Sequence, residues 1–180
     1  MKRFKRGLVV GKFCPLHRGH EQVIQQAQAA CEVVVIISYT NPEFPGCEPA
    51  KRRQWLQVRF RNAKIIVMSD ADGDAIPAND ADDATHRTYC ANVLMEHTLA
   101  PVDAVFTSEN YGPGFASALT EIFRHRNLQQ APVAHCLVDL DREQMPISGT
   151  ELRADIHGHR AFLAPEVYAS FVQRICLLGG

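Results

Sequence analysis

Two histidines, His17 and His20, are the residues whose type and spacing point most directly to chemistry. They lie at the predicted start of a helix, three positions apart, so their side chains share one face. The helix N-terminus supplies free N–H groups and the positive end of the helix dipole, which favour a phosphate. Lys12 adds a full positive charge, and Gly19 lets a ligand approach the backbone. The combination predicts a polyphosphate site in the segment Gly11-Lys12-Phe13-Cys14-Pro15-Leu16-His17-Arg18-Gly19-His20.

Two other interpretations of the histidine pair stay open at this point. One is a turn that carries two histidines by coincidence, and the other is metal ligation by the two imidazoles. Neither explains why glycine, lysine and proline occur in the same loop. A His-x-Gly-His sequence after a Gly-x-Phe-x-Pro strand end is also far more specific than a lone glycine-rich loop. We therefore favour the phosphate interpretation.

A second segment, near the end of the chain, has the pattern of an anion-binding helix start: Ile147-Ser148-Gly149-Thr150-Glu151-Leu152-Arg153. Ser148 and Glu151 form a capping-box pattern, which predicts a helix from about Gly149. The free N–H groups of this helix would face an anion, and Arg153 lies about one turn into it. Taken alone, the segment is best interpreted as a well-capped helix.

The elements that must hold these motifs alternate between short apolar runs and helical patterns. The second run is continuously apolar, as in a strand covered on both faces. The alternation predicts an α/β fold with a parallel sheet and right-handed crossovers, in which ligands bind beyond the carboxyl ends of the strands. Residues 41–49 are predicted to be irregular, and the acidic residues 69–83 to be a solvated loop rather than a substrate lid. Strands are predicted at 7–13, 32–38, 63–68, 102–107 and 133–138, and helices at 19–30, 50–60, 85–97 and 115–126.

The composition is that of a soluble globular domain. Of 180 residues, 19 are Lys or Arg and 20 are Asp or Glu, and the net charge of −1 excludes a body that binds nucleic acid by bulk attraction. No apolar run approaches the ~20 residues that span a bilayer, and the basic N-terminus lacks the apolar region of a signal peptide. The six cysteines form no C-x-x-C pair, which disfavours structural zinc and suits free thiols in a reducing compartment. We expect a cytoplasmic protein with no membrane or nucleic-acid partner.

The two motifs resemble the signatures of the nucleotidyltransferase superfamily, whose members transfer AMP or CMP from a nucleoside triphosphate. The resemblance implies a Rossmann-like, doubly wound parallel sheet in which His17 and His20 contact the phosphates of the triphosphate. It also implies that Ser148 and Arg153 hold the β- and γ-phosphates. The expected catalytic residues are Lys12, His17, His20 and Arg153, and the residues expected to bind ATP are Gly11, Phe13, Gly19, Ser108, Ser148 and Thr150.

Other segments are similar to the NadR-type bifunctional NMN adenylyltransferases and ribosylnicotinamide kinases. Lys12 matches the basic residue that the NMN adenylyltransferase branch has between its glycine and phenylalanine. Arg52 and Trp55 match an Arg-x-x-Trp helix and are expected to bind the acceptor, with a solvated helix face for Arg52 and a core position for Trp55 as the alternatives. Weaker similarity runs through Ala104-Val105-Phe106-Thr107-Ser108-Glu109, Leu137-Val138-Asp139-Leu140-Asp141-Arg142 and the tail at 162–180.

The sequence departs from that family in two places. Residues 76–93, which should hold the nicotinamide ring, lack the expected tryptophans, and we predict Tyr89 or His86 as the substitute stacking partner. The family also continues into a P-loop kinase, and because no Gly-x-x-x-x-Gly-Lys-Ser/Thr occurs here, we expect no kinase activity. We predict one transferase domain over 1–180, with a core at 7–158 and a C-terminal helical segment at 159–180. It is either a stand-alone transferase or part of a longer protein.

The implied reaction joins ATP and nicotinamide mononucleotide to give NAD and pyrophosphate. The two substrates bring about five to six negative charges together, whereas Lys12 and Arg153 supply two positive charges. We therefore expect Mg²⁺ bound through the ATP phosphates, with no metal ligands from the protein. Alternative acceptors within the superfamily are nicotinate mononucleotide, phosphopantetheine and, with CTP, a polyol phosphate. A nucleotide sensor without turnover is the alternative from another class. Members of the superfamily form homo-oligomers, which leaves self-association open.

Overall fold

A five-stranded parallel sheet forms the centre of the molecule, as seen in a computed structural model that describes residues 1–70, 75–139 and 145–177. The strands lie in the order β3-β2-β1-β4-β5, and every pair is parallel. The five predicted strands are confirmed. The main difference is that β1 begins three residues early, because Phe4 pairs with Cys31 at the start of β2. The bounds are β1 (Phe4–Gly11), β2 (Cys31–Ser38), β3 (Lys64–Val67), β4 (Ala104–Thr107) and β5 (Ala134–Leu137).

Six α-helices accompany the strands in the described residues, and a short 3-10 helix, Arg160–Phe162, precedes the last of them. Pro49 and Pro113 lie in the first turns of the second and fourth helices, where the fixed φ of proline suits the helix and its missing N–H has no partner to lose. The fifth helix begins at Gly149, as the capping box predicts. The bounds are α1 (Arg18–Ala30), α2 (Pro49–Arg59), α3 (Asp83–Thr98), α4 (Gly112–His125), α5 (Gly149–Ala154) and α6 (Pro165–Leu177).

Helices cover both faces of the sheet. Side chains alternate along each strand, so Leu8 packs on one side with α3 and α4, while Val9 packs on the other with α1 and α2. On β2, Val35 and Ile37 join the first side, and Val34 and Ile36 the second. This double coverage explains the continuous apolar run of β2. It confirms the prediction of a Rossmann-like, doubly wound α/β fold.

The order of the strands places a crevice above the middle of the sheet. From β1 the chain builds outward through β2 to β3, and it then returns to the other side of β1 to form β4 and β5. The connection that follows β1 therefore leads toward the β3 edge of the sheet, and the connection that follows β4 leads toward the β5 edge. A crevice opens at the carboxyl ends of two such strands, and ligands of open α/β sheets bind there.

The C-terminal helix packs onto the same body as the other helices. The Trp55 ring of α2 stacks on the Phe171 ring of α6, with 5.7 Å between ring centroids, and Trp55 Nε1 donates to Ser170 Oγ at 3.2 Å. None of the helices in the described part of the chain has the length and apolar character to cross a membrane. Three stretches discussed above lie outside the described residues: 71–74 of the acidic loop, 140–142 of the segment before the second motif, and 178–180 of the tail.

Candidate functional site

A cleft of about 420 Å³ lies at the carboxyl ends of β1 and β4, in the crevice that the strand order creates. Its walls come from the loop after β1, the loop after β4 and the segment that begins α5. The structure brings together there all the residues of the predicted catalytic and ATP-binding sets: Gly11, Lys12, Phe13, His17, Gly19, His20, Ser108, Ser148, Thr150 and Arg153.

The two motif histidines form a stacked pair at the start of α1. Their ring centroids lie 3.7 Å apart, and the ring of Phe13 packs edge-on against His20 at 4.9 Å. His17 caps α1, because its Nδ1 accepts the N–H of Gly19 at 3.1 Å. A ring nitrogen that accepts carries no hydrogen, so neutral His17 has its proton on Nε2. The cap thereby sets the tautomer in which Nε2 is a hydrogen-bond donor.

The loop after β1 turns sharply at Phe13, whose φ of 51° lies in the left-handed region. That conformation costs a bulky residue about 1–2 kcal/mol. Burial of the phenyl ring, which is 1% exposed, contributes about 1.5–3 kcal/mol and offsets the cost. The carbonyl of Lys12 accepts from Ser38 Oγ at 3.1 Å, which joins the turn to the end of β2. These contacts hold the loop at the carboxyl ends of the strands, where it lines the cleft.

The second motif approaches the first through Arg153. Its Nη1 donates to the carbonyl of Cys14 at 2.6 Å, and its Nη2 donates to Thr150 Oγ1 at 3.2 Å. Gly149 permits this approach, because a Cβ there would lie 3.2 Å from the Cys14 carbonyl oxygen. The predicted capping box is present, with Ser148 and Glu151 bonded reciprocally. The two motifs, distant in sequence, therefore share one edge of the cleft.

The buried thiol of Cys14 lies at this edge. A hydrogen bond from Cys47, followed by the positive charges of Arg52 and Arg153, holds its pKa below the usual value despite burial. Arg153 therefore acts on this loop through its charge as well as through its bond to the Cys14 carbonyl.

The wall on the β2 side of the cleft is aromatic. Tyr39 follows β2, and its hydroxyl lies 2.9 Å from Nδ1 of His86 in α3. Burial raises the pKa of Tyr39 far above its usual value, so the phenol is neutral. Tyr39 and His86 line the cleft, whereas Tyr89, expected at the acceptor, packs edge-on behind Tyr39 with 4.8 Å between centroids. The prediction missed Tyr39, whose position just after a buried strand was the available signal.

The structure places Arg52 and Trp55, both expected at the acceptor, in the core beside α2. Arg52 is fully buried and pairs with Glu43 at 2.7 Å, and Trp55 is 2% exposed against α6. Neither side chain lines the cleft. This corrects the expected substrate contacts: α2 turns the Trp55 face toward α6, and the charge of Arg52 is satisfied by the loop before α2. Trp55 therefore occupies the core position named above as its alternative.

The wall on the β4 side is polar. Thr107 and Ser108 follow one another into the loop before α4, and Glu109 and Asp139 also line the cleft. Thr107 Oγ1 lies 2.8 Å from Nε2 of His135, and burial lowers the pKa of His135 below its usual value. Within the described ranges 1–70, 75–139 and 145–177, no group of three His, Cys, Asp or Glu side chains is arranged to hold a metal ion.

Comparison with known proteins identifies relatives over nearly the whole chain. The family model described as cytidylyltransferase-like matches residues 8–155. The trifunctional NAD biosynthesis/regulator protein NadR of Salmonella typhimurium strain LT2 is 25% identical over 185 residues, and that of Escherichia coli strain K12 is 24% identical over 190 residues. Each alignment covers 97% of this chain and 42% of the relative. The chain thus spans about two fifths of the length of these curated relatives.

Solved structures share the fold. A NadR protein in complex with NR superposes with a TM-score of 0.60 at 21% identity, covering 90% of this chain and 43% of that chain. A NadR protein in complex with NAD and AMP-PNP gives 0.57 at 20%, covering 89% and 45%. Pantoate-beta-alanine ligase from Francisella tularensis, complexed with beta-gamma ATP and beta-alanine, gives 0.50 at 13%, covering 85% and 66%. At these identities the similarity shows a common architecture.

Proposed function

The chain belongs to the cytidylyltransferase-like family, and on that premise we propose that it transfers AMP from ATP to nicotinamide mononucleotide, forming NAD and pyrophosphate. The curated relatives are proteins of NAD biosynthesis, which supports this acceptor. The observation that carries the proposal is the contact between the two motifs. Arg153 reaches the loop of His17 and His20 and bonds the Cys14 carbonyl at 2.6 Å.

The chemistry that fits this arrangement is in-line transfer without a protein nucleophile. The phosphate of the mononucleotide attacks the α-phosphorus of ATP, and pyrophosphate leaves on the opposite side. Such a reaction needs positioning and charge neutralisation. In the proposal, His17 and His20 donate hydrogen bonds to phosphate oxygens as charge moves to the leaving group. Ser148 and Arg153 hold the β- and γ-phosphates that become pyrophosphate, Lys12 adds positive charge beside them, and Thr150 supports Arg153.

The proposal includes Mg²⁺, which accompanies ATP as its bound cation. In the proposal the ion is bound through the phosphate oxygens of ATP. Such an ion neutralises phosphate charge during transfer. The protein's share of the work is done by Lys12, Arg153 and the histidine pair, which orient the phosphates around it.

The aromatic wall supports the placement of the acceptor base. Tyr39 and His86 lie with their rings nearly parallel, 29° apart, at the side of the cleft opposite Thr107 and Ser108. A flat nicotinamide ring gains stacking energy against such a wall. We assign the acceptor base to the wall of Tyr39 and His86, with Tyr89 supporting it from behind, and the adenosine to the loop of Ser108.

The first test is the reaction itself. Purified protein is incubated with ATP, Mg²⁺ and nicotinamide mononucleotide, and NAD is followed with a coupled dehydrogenase. We expect NAD to form, and His20→Ala to lower kcat by roughly 10²–10³-fold with a much smaller change in the dissociation constant of ATP. His125→Ala, at an exposed position at the end of α4, is the matched control and should retain wild-type turnover. Unchanged kcat in folded His20→Ala would remove this residue from the mechanism.

A panel of acceptors separates the alternatives. Pyrophosphate release with nicotinate mononucleotide, phosphopantetheine or a polyol phosphate with CTP, but not with nicotinamide mononucleotide, would keep the site and replace the acceptor. Tight ATP binding without turnover on any acceptor would favour a nucleotide sensor.

A further inference from the structure

The loop between β2 and α2, residues 39–48, brings an aromatic ring beneath the cations of the cleft. The Cζ atom of Arg153 lies 4.0 Å from the centroid of the Phe44 ring, and Nζ of Lys12 lies 6.0 Å from the same centroid. Phe44 is half-buried and packs against the core cluster below it. The face of a phenyl ring carries negative electrostatic potential and attracts cations. The ring therefore lies against the Arg153 guanidinium, with the Lys12 ammonium at the outer limit of cation–π distance.

The buried Arg52 holds this loop in place. Its Nη2 pairs with Oε1 of Glu43 at 2.7 Å, and its Nε donates to the carbonyl of Cys47 at 3.0 Å. These two partners bracket Phe44 in the sequence. Arg52 is fully buried, and its bond to the Cys47 carbonyl lies away from competing water, whereas Glu43 keeps 28% of its side chain exposed.

The same guanidinium also supports the end of β1. Nη1 of Arg52 donates to Ser38 Oγ at 2.7 Å, and the Ser38 hydroxyl donates in turn to the carbonyl of Lys12 at 3.1 Å. Arg52 thus joins the backbone that carries Lys12 to the loop that carries Phe44. One connected set of hydrogen bonds, buried at Arg52, therefore links the backbone of Lys12 to the loop beneath Arg153.

We propose that Phe44, held by Arg52, is a positioning residue that orients Arg153 and Lys12 for the triphosphate. The inference rests on the proposed function, since it names what holds the phosphate-binding cations of that site. Phe44 itself contacts no substrate in this proposal. The Phe44 ring fixes the plane of the Arg153 guanidinium. The carbonyl of Cys14 and the hydroxyl of Thr150 accept hydrogen bonds from the Arg153 nitrogen atoms. A pre-oriented guanidinium loses less conformational freedom when it binds phosphate.

The alternative role for Phe44 is purely structural, as a filler between the loop and the core. Two substitutions distinguish the roles. Phe44→Leu keeps an apolar side chain but removes the ring face, and Phe44→Tyr keeps the ring. Phe162→Leu is the matched control, because Phe162 is also half-buried and packs against the same cluster.

The experiment measures binding of ATP and of inorganic tripolyphosphate by calorimetry without any acceptor, together with the thermal midpoint. We expect Phe44→Leu to weaken both ligands by about 2- to 10-fold, and Phe44→Tyr and Phe162→Leu to bind as the wild type does. In an Arg153→Ala background, Phe44→Leu should weaken ligand binding much less than it does in the wild type, because the arginine that Phe44 positions is gone.

Equal binding by Phe44→Leu and wild type, or a loss that is the same in the Arg153→Ala background, would overturn the positioning role. Equal weakening by Phe44→Leu and Phe44→Tyr would do so as well. These results are independent of the acceptor, so failure to form NAD with intact ATP binding overturns the proposed acceptor and leaves the inference on Phe44 standing. Absence of ATP and tripolyphosphate binding in the wild type would overturn both.

Discussion

Arg153 has three partners before any phosphate arrives. Its two terminal nitrogens donate to Cys14 and Thr150, and its plane lies over Phe44. A guanidinium with five donors can keep these contacts and still offer others to a phosphate. Its orientation is therefore set by the folded chain, which reduces the entropy that binding must overcome.

Replacing Arg153 tests whether that arrangement serves a phosphate. We expect Arg153→Ala to raise KM for ATP and to slow turnover, with kcat/KM lower by about 10- to 100-fold. Arg153→Lys should recover only part of this, because an ammonium group cannot reproduce the planar fork. Steady-state kinetics with varied ATP measures both variants. An unaltered dependence on ATP would mean that α5 is only a well-capped helix.

At the scale of elements, the pairing of β1 with β2 confines a cysteine thiol. Cys31 begins β2 and is 2% exposed, and its Sγ occupies the space where a Cβ on Gly7 would lie. Burial, followed by the charges of Cys136 and Asp103, raises the pKa of Cys31 from 9.0 to about 11. The folded chain therefore retains this proton at pH values where the unfolded chain releases it.

Linkage between proton binding and folding then predicts a loss of stability in alkali. Between pH 9 and about 11 the unfolded state binds fewer protons than the folded state, so the free energy of unfolding falls as pH rises. Urea unfolding at pH 8, 9, 10 and 11 measures the slope. Alanine fits the space of Cys31, and the free energy of unfolding of Cys31→Ala should fall less steeply with pH than that of the wild type over this window. Identical slopes for the two proteins would show that Cys31 does not titrate differently in the folded state.

At the scale of the whole molecule, charged and aromatic contacts tie the last helix to the first two. Arg59 of α2 pairs with Glu21 of α1 at 2.7 Å and with Glu166 of α6 at 3.6 Å. Glu21 is 2% exposed, and its two carboxylate oxygens pair with Arg59 and with Arg18 of its own helix. Trp55 of α2 also contacts α6, through its stacked ring and its indole nitrogen. The contacts favour cooperative unfolding of α6 together with α1 and α2.

The single tryptophan offers a test of this cooperativity. We expect Trp55 fluorescence and far-ultraviolet circular dichroism to report the same urea midpoint, because α6 leaves α2 only when the sheet unfolds. Phe171→Leu, which removes the ring stacked on Trp55, should lower both midpoints together. A fluorescence midpoint clearly below that of the circular dichroism would show that α6 detaches as a separate unit.

The sequence by itself determined the elements and the two motifs that line the cleft. Strand and helix alternation is visible because apolar periodicity is local, and the start of α5 is visible because a capping box is complete within four residues. The carboxyl end of β1 marks the site because ligands of parallel sheets bind there. His17 and His20 could therefore be assigned to this cleft from their positions in the chain, whereas Arg153 is assigned to it through the resemblance to the nucleotidyltransferase superfamily.

Only the tertiary structure decided what faces α2 and which loop supports the cleft. The sequence pattern of α2 does not reveal that α6 covers Trp55 or that residues 41–49 satisfy the charge of Arg52, because both partners are remote or irregular. The early start of β1 depends on pairing between Phe4 and Cys31. Tyr39 and Phe44 escaped prediction for the same reason: their roles arise from contacts with His86 and Arg153, which are distant in sequence and adjacent only after folding.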